Sequence, residues 1–435
     1  MNLQDIRNKS ITIGVIGLGY VGLPLIREFN KAGFRIVGFD IDKKKVASLN
    51  AGRSYIGHIP HALIQSFRKG GRFRATADFS ELRKADAIII CVPTPLDTHR
   101  NPDLSAVVGT AETICRYLRK GQLVVLESTT YPGTTDEELR SRMEAAGFKV
   151  GRDVFLAFSP EREDPGNPKF TTSTIPKVVG ADDPKSLALA KALYENVVVK
   201  VHPVSSTRAA EATKILENIY RCINIAAINE LKIIFHAMGI DIWEVIEAAA
   251  TKPFGFQKFT PGPGLGGHCI PIDPFYLSWK AKEFNQTARF IELAGEVNCS
   301  MPHWVIERLA QALSEQGKPL KGSKILVLGM AYKPDIDDDR ESPSRELIQI
   351  LMERGAKVSY HDPHVPHFKG SRHYSFTLRS TPLTARRLQS VDAVLISTDH
   401  TRVDYDLVVR HAKLVVDTRN ATKHVRKNRQ KIVKS

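Results

Sequence analysis

At 435 residues, 42% apolar and 25% charged, the chain has material for two to four domains of roughly 100–200 residues each, which excludes a small stapled scaffold, a fibrous repeat and a disordered polypeptide. The net charge is +15, and Lys423, Arg426, Lys427, Arg429, Lys431 and Lys434 fall in the acid-free stretch 420–435. That stretch reads as a solvated, frayed end, which argues against nucleic acid as a partner. The cysteines (Cys91, Cys115, Cys222, Cys269 and Cys299) are odd in number and form no C-x-x-C pair, so neither a disulfide frame nor a thiolate metal site is expected. With no apolar signal core near Met1 and no run approaching the roughly 18 apolar residues that span a bilayer, the expected compartment is the reducing cytoplasm, with no membrane partner.

In chain order, Ile11–Ile16 is a β-branched run that leads into Gly17, Gly19 and Gly22, a helix-like stretch to Ala32, and a second strand ending at Asp40. Strand-like runs at Ala87–Val92, Leu123–Leu126 and Val154–Phe158 follow, separated by helical or loop sequence. This predicts a parallel sheet with helical crossovers. Ser206–Met238 contains neither Gly nor Pro and stops before Gly239. It predicts one helix of about 30 residues, long enough to join two domains and to offer a surface to a second subunit. Pro253–Pro274 is dense in Gly and Pro, and a loop of that length in a compact chain is functional more often than idle. The opening grammar then returns. Lys324–Gly329 matches Ile11–Gly17, Gly355–Asp362 matches Gly33–Asp40, Val391–Ile396 matches Ala85–Ile90, and Leu414–Asp417 matches Leu123–Glu127. Matches in one order imply two α/β, Rossmann-like, doubly wound parallel-sheet domains joined by a long central helix, with boundaries expected at 1–204, 205–310 and 311–435.

Gly17-Leu18-Gly19-Tyr20-Val21-Gly22 is a G-x-G-x-x-G turn with a strand before it and a helix after it, and Asp40 stands 18 residues beyond Gly22. Such a turn lets the backbone approach a pyrophosphate at the helix N-terminus, and a carboxylate at that spacing accepts the ribose hydroxyls of NAD. Lys45 stands a few residues beyond. In the second half the matching turn, Gly329-Met330-Ala331-Tyr332-Lys333, has lost the glycine pattern and gained a lysine. It need not hold a second dinucleotide and suits a phosphate.

Gly264, Gly266 and Gly267 precede Cys269, with Asp273 beyond it. A thiolate is the strongest nucleophile at neutral pH, the carboxylate can move protons, and a nearby cation would lower the thiol pKa. Lys214 and Asn218 are four apart on one helix face, amid Ile215, Leu216, Ile219 and Tyr220. Taken singly, such a cysteine is often only buried and such a lysine only snorkels. Glu161-Arg162-Glu163 follows a strand, at the carboxyl edge where open α/β sheets bind ligands; its bland reading is a solvated charge run. His361-x-x-His364-x-x-His367 has metal-like spacing but is Pro-rich and without a cysteine partner, so it reads as a loop and no metal is expected.

Together the motifs resemble the UDP-glucose/GDP-mannose dehydrogenase family over almost the whole chain. Gly17–Gly22, Glu127-Ser-Thr129, Ser159-Pro-Glu161, Glu211-x-x-Lys214-x-x-x-Asn218, Gly266-Gly-His-Cys269-x-x-x-Asp273, Gly329-x-Ala-Tyr-Lys333 and Asp339-Arg340-Glu-Ser-Pro343 appear in family order. Ser159–Asn167, Ala250–Phe256 and Pro261–Cys269 most resemble bacterial members acting on UDP-N-acetylglucosamine. The resemblance implies oxidation of a UDP-sugar C6 alcohol to a carboxylate with two NAD, through a thiohemiacetal and a thioester on Cys269. It implies that Lys214 and Asn218 stabilise the C6 oxyanion, that Asp273 handles protons, and that Glu161 and Thr129 serve the hydrolytic water. Gly17, Gly19, Tyr20, Val21, Gly22, Asp40, Lys45, Thr94, Thr129 and Arg340 are the implied cofactor contacts. Glu161, Arg162, Glu163, Lys214, Asn218, Phe259, Leu265, Gly266, Lys333 and Arg419 are the implied substrate contacts. A homodimer on the central helix is implied as well. Where UDP-glucose members often carry an arginine that meets the sugar across the dimer, this chain reads Lys252-Pro-Phe-Gly-Phe-Gln-Lys258. A two-electron hydroxyacid dehydrogenase of the 6-phosphogluconate kind shares the N-terminal fold and a helical Lys/Asn pair but needs no thiol.

Overall fold

The computed structural model describes residues 1–56, 59–97, 101–163, 170–267, 269–371 and 373–435, apart from the side chain of Arg68. Parts of two motifs, Asp164–Asn167 and His268, lie outside the described residues. The chain forms two compact units, Met1–Glu217 with Phe275–Thr287, and Asn218–Pro274 with Ala288–Ser435. The helix Thr207–Ala237 begins in the first and ends in the second, 31 residues where about 30 were expected.

The first unit holds an eight-stranded sheet. Its strands are β1 (Thr12–Ile16), β2 (Arg35–Phe39), β3 (Phe73–Thr76), β4 (Ala87–Ile90), β5 (Leu123–Leu126), β6 (Phe155–Phe158), β7 (Lys177–Gly180) and β8 (Val201–Val204). Their order is β3-β2-β1-β4-β5-β6-β7-β8, parallel except where β6 meets β7. The strands read as continuous apolar runs because both faces are covered. Ile13 and Val15 enter one core and Ile16 the other, as alternation along a strand requires.

The second unit carries β9 (Lys324–Leu328), β10 (Lys357–His361), the small ribbon β11 (His367–Phe368) with β12 (Leu378–Arg379), then β13 (Ala393–Ile396), β14 (Val415–Asp417) and β15 (Ile432–Lys434). The main sheet runs β10-β9-β13-β14-β15, all parallel. As in the first sheet, the order reverses beside the opening strand, so the internal repeat read from sequence is borne out strand by strand. β9, β10, β13 and β14 stand where β1, β2, β4 and β5 stand.

The expectation of a frayed C-terminus is corrected. Ile432–Lys434 closes the sheet edge as β15, and Ser435 is fully buried. The basic residues hid this, yet one of them is structural: Lys431 Nζ donates to the carbonyls of Val409, Arg410 and Ala412 at the end of the helix Tyr405–His411. A cation there satisfies orphan carbonyls and suits the negative end of the helix dipole. Among the described residues, no helix is long and apolar enough to cross a membrane.

Candidate active site

In the first unit, the residues expected to hold the cofactor gather at the carboxyl ends of β1, β2, β4 and β5, where the strand order reverses. Gly17 adopts φ +95°. A Cβ there would lie 2.4 Å from the Cys91 carbonyl oxygen, and one at Gly22 would lie 2.0 Å from that of Gly17. At Gly19 it would meet nothing within 4 Å. Two glycines are thus demanded by the turn and its packing, while the middle one leaves the backbone open to a pyrophosphate. Tyr20 and Val21 complete the turn, with Val21 at the N-cap of the helix Gly22–Ala32. Asp40 is buried; its Oδ2 accepts the Leu18 N–H at 3.1 Å and its Oδ1 the Asp42 N–H at 2.9 Å. Lys45 Nζ stands 3.8 Å from Asp40 Oδ2. Thr94 Oγ1 donates to the Thr129 carbonyl at 2.8 Å, and Tyr276 OH donates to the Thr94 carbonyl, which ties the ends of β4 and β5 together. This set fits NAD: backbone amides for the pyrophosphate, a carboxylate for the ribose.

The matching carboxylate of the second unit has another task. Asp362 Oδ2 accepts the amides of Met330 at 2.6 Å and Ala331 at 2.9 Å, and meets His400 Nε2 at 3.0 Å. The turn amides that would face a second dinucleotide are taken by the chain's own acid. Burial alone would push Asp362 up, but His400 and the turn amides outweigh it and hold it at about 2. Of the three spaced histidines, His364 lies near Asp335 and His400. Both ring nitrogens of His400 are engaged, Nδ1 by the Asp335 N–H at 3.0 Å and Nε2 by Asp362. His361 Nδ1 faces the Thr381 carbonyl at 2.8 Å.

Glu161 follows β6. Its Oε1 accepts the amides of Arg162 and Glu163, each at 2.6 Å, and its Oε2 stands 4.0 Å from Lys177 Nζ. Arg162 pairs with Glu217 at 2.6 Å, and Glu163 accepts the Thr172 hydroxyl, with burial raising its pKa. The charge run is therefore a folded, partnered corner.

Lys214 and Asn218 are both buried on the long helix, Lys214 in the first unit and Asn218 in the second. In the second unit Asn218 Nδ2 donates to Asp273 Oδ2 at 2.6 Å. Asp273 opens the helix Asp273–Ala281, and its N–H reaches back to the Cys269 carbonyl at 2.8 Å, so Cys269 occupies the tight turn just before that helix. The Cys269 residue is exposed. A Cβ at Gly266 would lie 2.6 Å from Tyr332 Cβ, and one at Gly267 2.9 Å from the Tyr332 ring, so the glycines let this turn pass close to Tyr332 and Pro343. Leu265 packs with Cys222, Ala226 and Ile270, and Phe259 meets the Tyr220 ring edge-on at 5.8 Å. Lys333 is half-buried just beyond the second turn, and Arg340 is held by Asp338 at 2.6 Å.

Arg419 bonds to Asp399 at 3.3 Å, packs against Gly262 and lines a cavity of about 490 Å³ with Trp243, Lys258, Thr260, His400 and Tyr405. Lys258 is tied to Glu247 at 2.6 Å, whereas Lys252 lies over the exposed Phe254 ring. Trp243 Nε1 is buried without a hydrogen-bond partner among the described residues. Sequence reading missed Trp243 and Asp399, because only folding gathers such distant positions. It also missed the buried Glu127–Lys177–Tyr194 cluster.

The fold and these sites define a class: an oxidoreductase that holds a dinucleotide in one Rossmann-like unit. Three family models match the chain in succession, the UDP-glucose/GDP-mannose dehydrogenase NAD binding domain over residues 11–198, its central domain over 208–300 and its UDP binding domain over 326–424. The chain belongs to the UDP-glucose/GDP-mannose dehydrogenase family and is an NAD-binding nucleotide-sugar dehydrogenase. It is 36% identical to a UDP-N-acetyl-D-glucosamine 6-dehydrogenase of Pseudomonas aeruginosa, over 86% of this chain and 88% of that one. A solved UDP-D-ManNAc dehydrogenase from Pyrococcus horikoshii superposes with TM-score 0.85 at 31% identity, covering 94% of this chain and 96% of that one. A solved UDP-glucose dehydrogenase from Pyrobaculum islandicum gives TM-score 0.84 at 28% identity, covering 98% and 97%.

Proposed function

We propose that this chain is a cytoplasmic four-electron dehydrogenase that converts UDP-N-acetylglucosamine to UDP-N-acetylglucosaminuronate for a surface polysaccharide or glycan. The observation that carries the reading is the Cys269 turn, whose backbone is joined to Asp273 while the Asp273 carboxylate is joined to Asn218. Gly17–Gly22 and Asp40 would hold NAD, which would supply the hydride acceptor for each of two oxidations. Thr94, Thr129 and Arg340 complete the cofactor contacts.

The roles follow from the chemistry. Asp273 handles the C6 hydroxyl proton, relayed through Lys214 or an ordered water, and Lys214 with Asn218 stabilises the oxyanion. The aldehyde carbon has no hydride to give until a nucleophile makes it tetrahedral, so the Cys269 thiolate adds to form a thiohemiacetal. Its oxidation leaves a thioester. Water adds to that carbonyl, its proton passes to Glu161, the C–S bond breaks and the thiolate is restored. Overall, the alcohol, two NAD and one water give the carboxylate, two NADH and three protons. Lys333 and Arg419 reach the diphosphate or the sugar, Phe259, Leu265 and Gly266 wrap the nucleotide, and Arg162 and Glu163 shape the Glu161 corner. The chain is proposed to act as a homodimer through its long helix.

The substrate is tested by initial NADH production on UDP-N-acetylglucosamine and its galactosamine, mannosamine and glucose counterparts, with mass spectrometry of the product. Preference for the first and two NADH per sugar are expected. Preference for UDP-N-acetylmannosamine, the sugar in the name of the Pyrococcus relative, would replace the substrate. Cys269→Ser is expected to abolish acid formation; one NADH per sugar from a fully active Cys269→Ser enzyme would point to two-electron chemistry instead.

A further inference from the structure

Beneath the Glu161 corner lies a buried charged cluster that the chemistry above leaves without a role. Lys177, the first residue of β7, has a side chain only 4% exposed. Its Nζ donates to Glu127 Oε2 at 2.9 Å and to the Pro160 carbonyl at 3.1 Å. Glu127, just past β5, accepts the hydroxyl of the fully buried Tyr194 on its other oxygen. Such a network costs desolvation and gives little net stability, so its presence beside a functional carboxylate calls for a reason.

Glu161 supplies one. Both amides that reach it use Oε1. Its Oε2 is buried with no hydrogen-bond partner among the described residues, and Lys177 Nζ stands 4.0 Å away. That separation is too long for a hydrogen bond and short enough for a strong charge interaction or for one bridging water. A cavity of about 10 Å³ bordered by Glu161, Lys177, Thr172 and Ile175 lies beside them, close to the space one water molecule needs.

We infer that Lys177 is a positioning residue for Glu161: its ammonium, fixed by Glu127 and Tyr194, keeps the Glu161 carboxylate aimed by attracting Oε2, directly or through one water. The inference rests on the reading of Glu161 as the group that takes the proton of the hydrolytic water. Lys177 keeps its own charge because the carboxylates of Glu127 and Glu161 more than reverse the effect of its burial. Without that cation, nothing among the described residues holds Oε2, and the carboxylate loses the orientation in which it takes a proton from water.

The test separates hydrolysis from the oxidations that precede it. Each enzyme is mixed with NAD and the UDP-sugar that gives the fastest NADH production. The NADH burst is followed by stopped flow, and the quenched protein is weighed by intact mass spectrometry. Glu161→Gln is expected to release two NADH per site and then stall with an acyl group on Cys269. Lys177→Met is expected to do the same, with steady turnover down about 100-fold, and Lys177→Arg to recover most of it. Because Lys177→Met leaves Glu127 unpaired in the core, Glu127→Gln/Lys177→Met removes both charges together and is expected to stall likewise. If Glu161→Gln stalls but the lysine variants turn over normally, or lose the burst along with turnover, the inference fails while the role of Glu161 stands. If Glu161→Gln does not stall, that role fails and the inference with it.

Discussion

Asp40 and Asp362 show one position in two equivalent sheets turned to opposite ends. Each ends the second strand of its sheet, yet Asp40 receives a single amide of the glycine turn, whereas Asp362 receives two and His400 besides. The first arrangement leaves donors and a carboxylate for a ligand. The second consumes them internally, which makes Asp362 a structural acid with a measurable pH signature. Its pKa is held at about 2, below its unfolded value, so its contribution is fully present above about pH 4 and is lost as pH falls toward 2. The shift corresponds to about 2 kcal/mol. Asp362→Asn is therefore expected to lower the urea-unfolding free energy by about that amount at pH 7, with the gap to wild type narrowing as pH drops below about 4. A gap that stays constant from pH 7 to pH 3 would refute this account.

At the scale of the element, the helix Thr207–Ala237 has two faces with different duties. At 100° per residue, Leu216, Tyr220, Leu231, Ile234 and the following Met238 fall within an arc of about 60°. All are exposed, from 37% at Leu231 to 65% at Leu216. Glu211, Lys214, Asn218, Asn229 and Lys232 fall on the opposite face, and all are buried. In the proposed homodimer, a second copy of the same helix would cover this apolar stripe. Ile234→Glu is expected to shift sedimentation from dimer to monomer with circular dichroism unchanged; a wild-type monomer at micromolar concentration would dismiss the interface. The helix itself was legible in sequence because 33 residues without Gly or Pro leave little alternative. The dinucleotide turn and the Cys269 loop were legible because glycines mark where backbone must pass closely. Lys177 was not: a lysine opening a strand reads as a solvated edge, and only the insertion of β7 between β6 and β8 buries it. Asp399 and Trp243 were hidden for a related reason, since each acquires meaning only from residues far along the chain.

Across the whole molecule, the surplus of positive charge changes meaning once the sheet is in view. A basic tail suggests a polyanion or a frayed end, but Ile432 and Val433 within it pair with Val415 and Val416 of β14, and Lys431 closes a helix end. Charge and structure can be separated by experiment because Arg426 and Lys427 are exposed. Their joint replacement by Gln is expected to move the melting temperature by less than about 4 °C, since each exposed substitution of this kind is worth within about 0.5 kcal/mol, and to leave NADH production unchanged. Deleting 426–435 instead strips β14 of its neighbour, exposes a row of unpaired edge groups and frees the carbonyls of Val409, Arg410 and Ala412. At about 2–4 °C per kcal/mol for a unit of this size, the loss is expected to lower the melting temperature by at least about 5 °C or to make the protein aggregate. Unchanged melting and activity after the deletion would mean that the segment is frayed after all. Loss of activity on neutralising Arg426 and Lys427, with melting intact, would return the charge itself to a functional role.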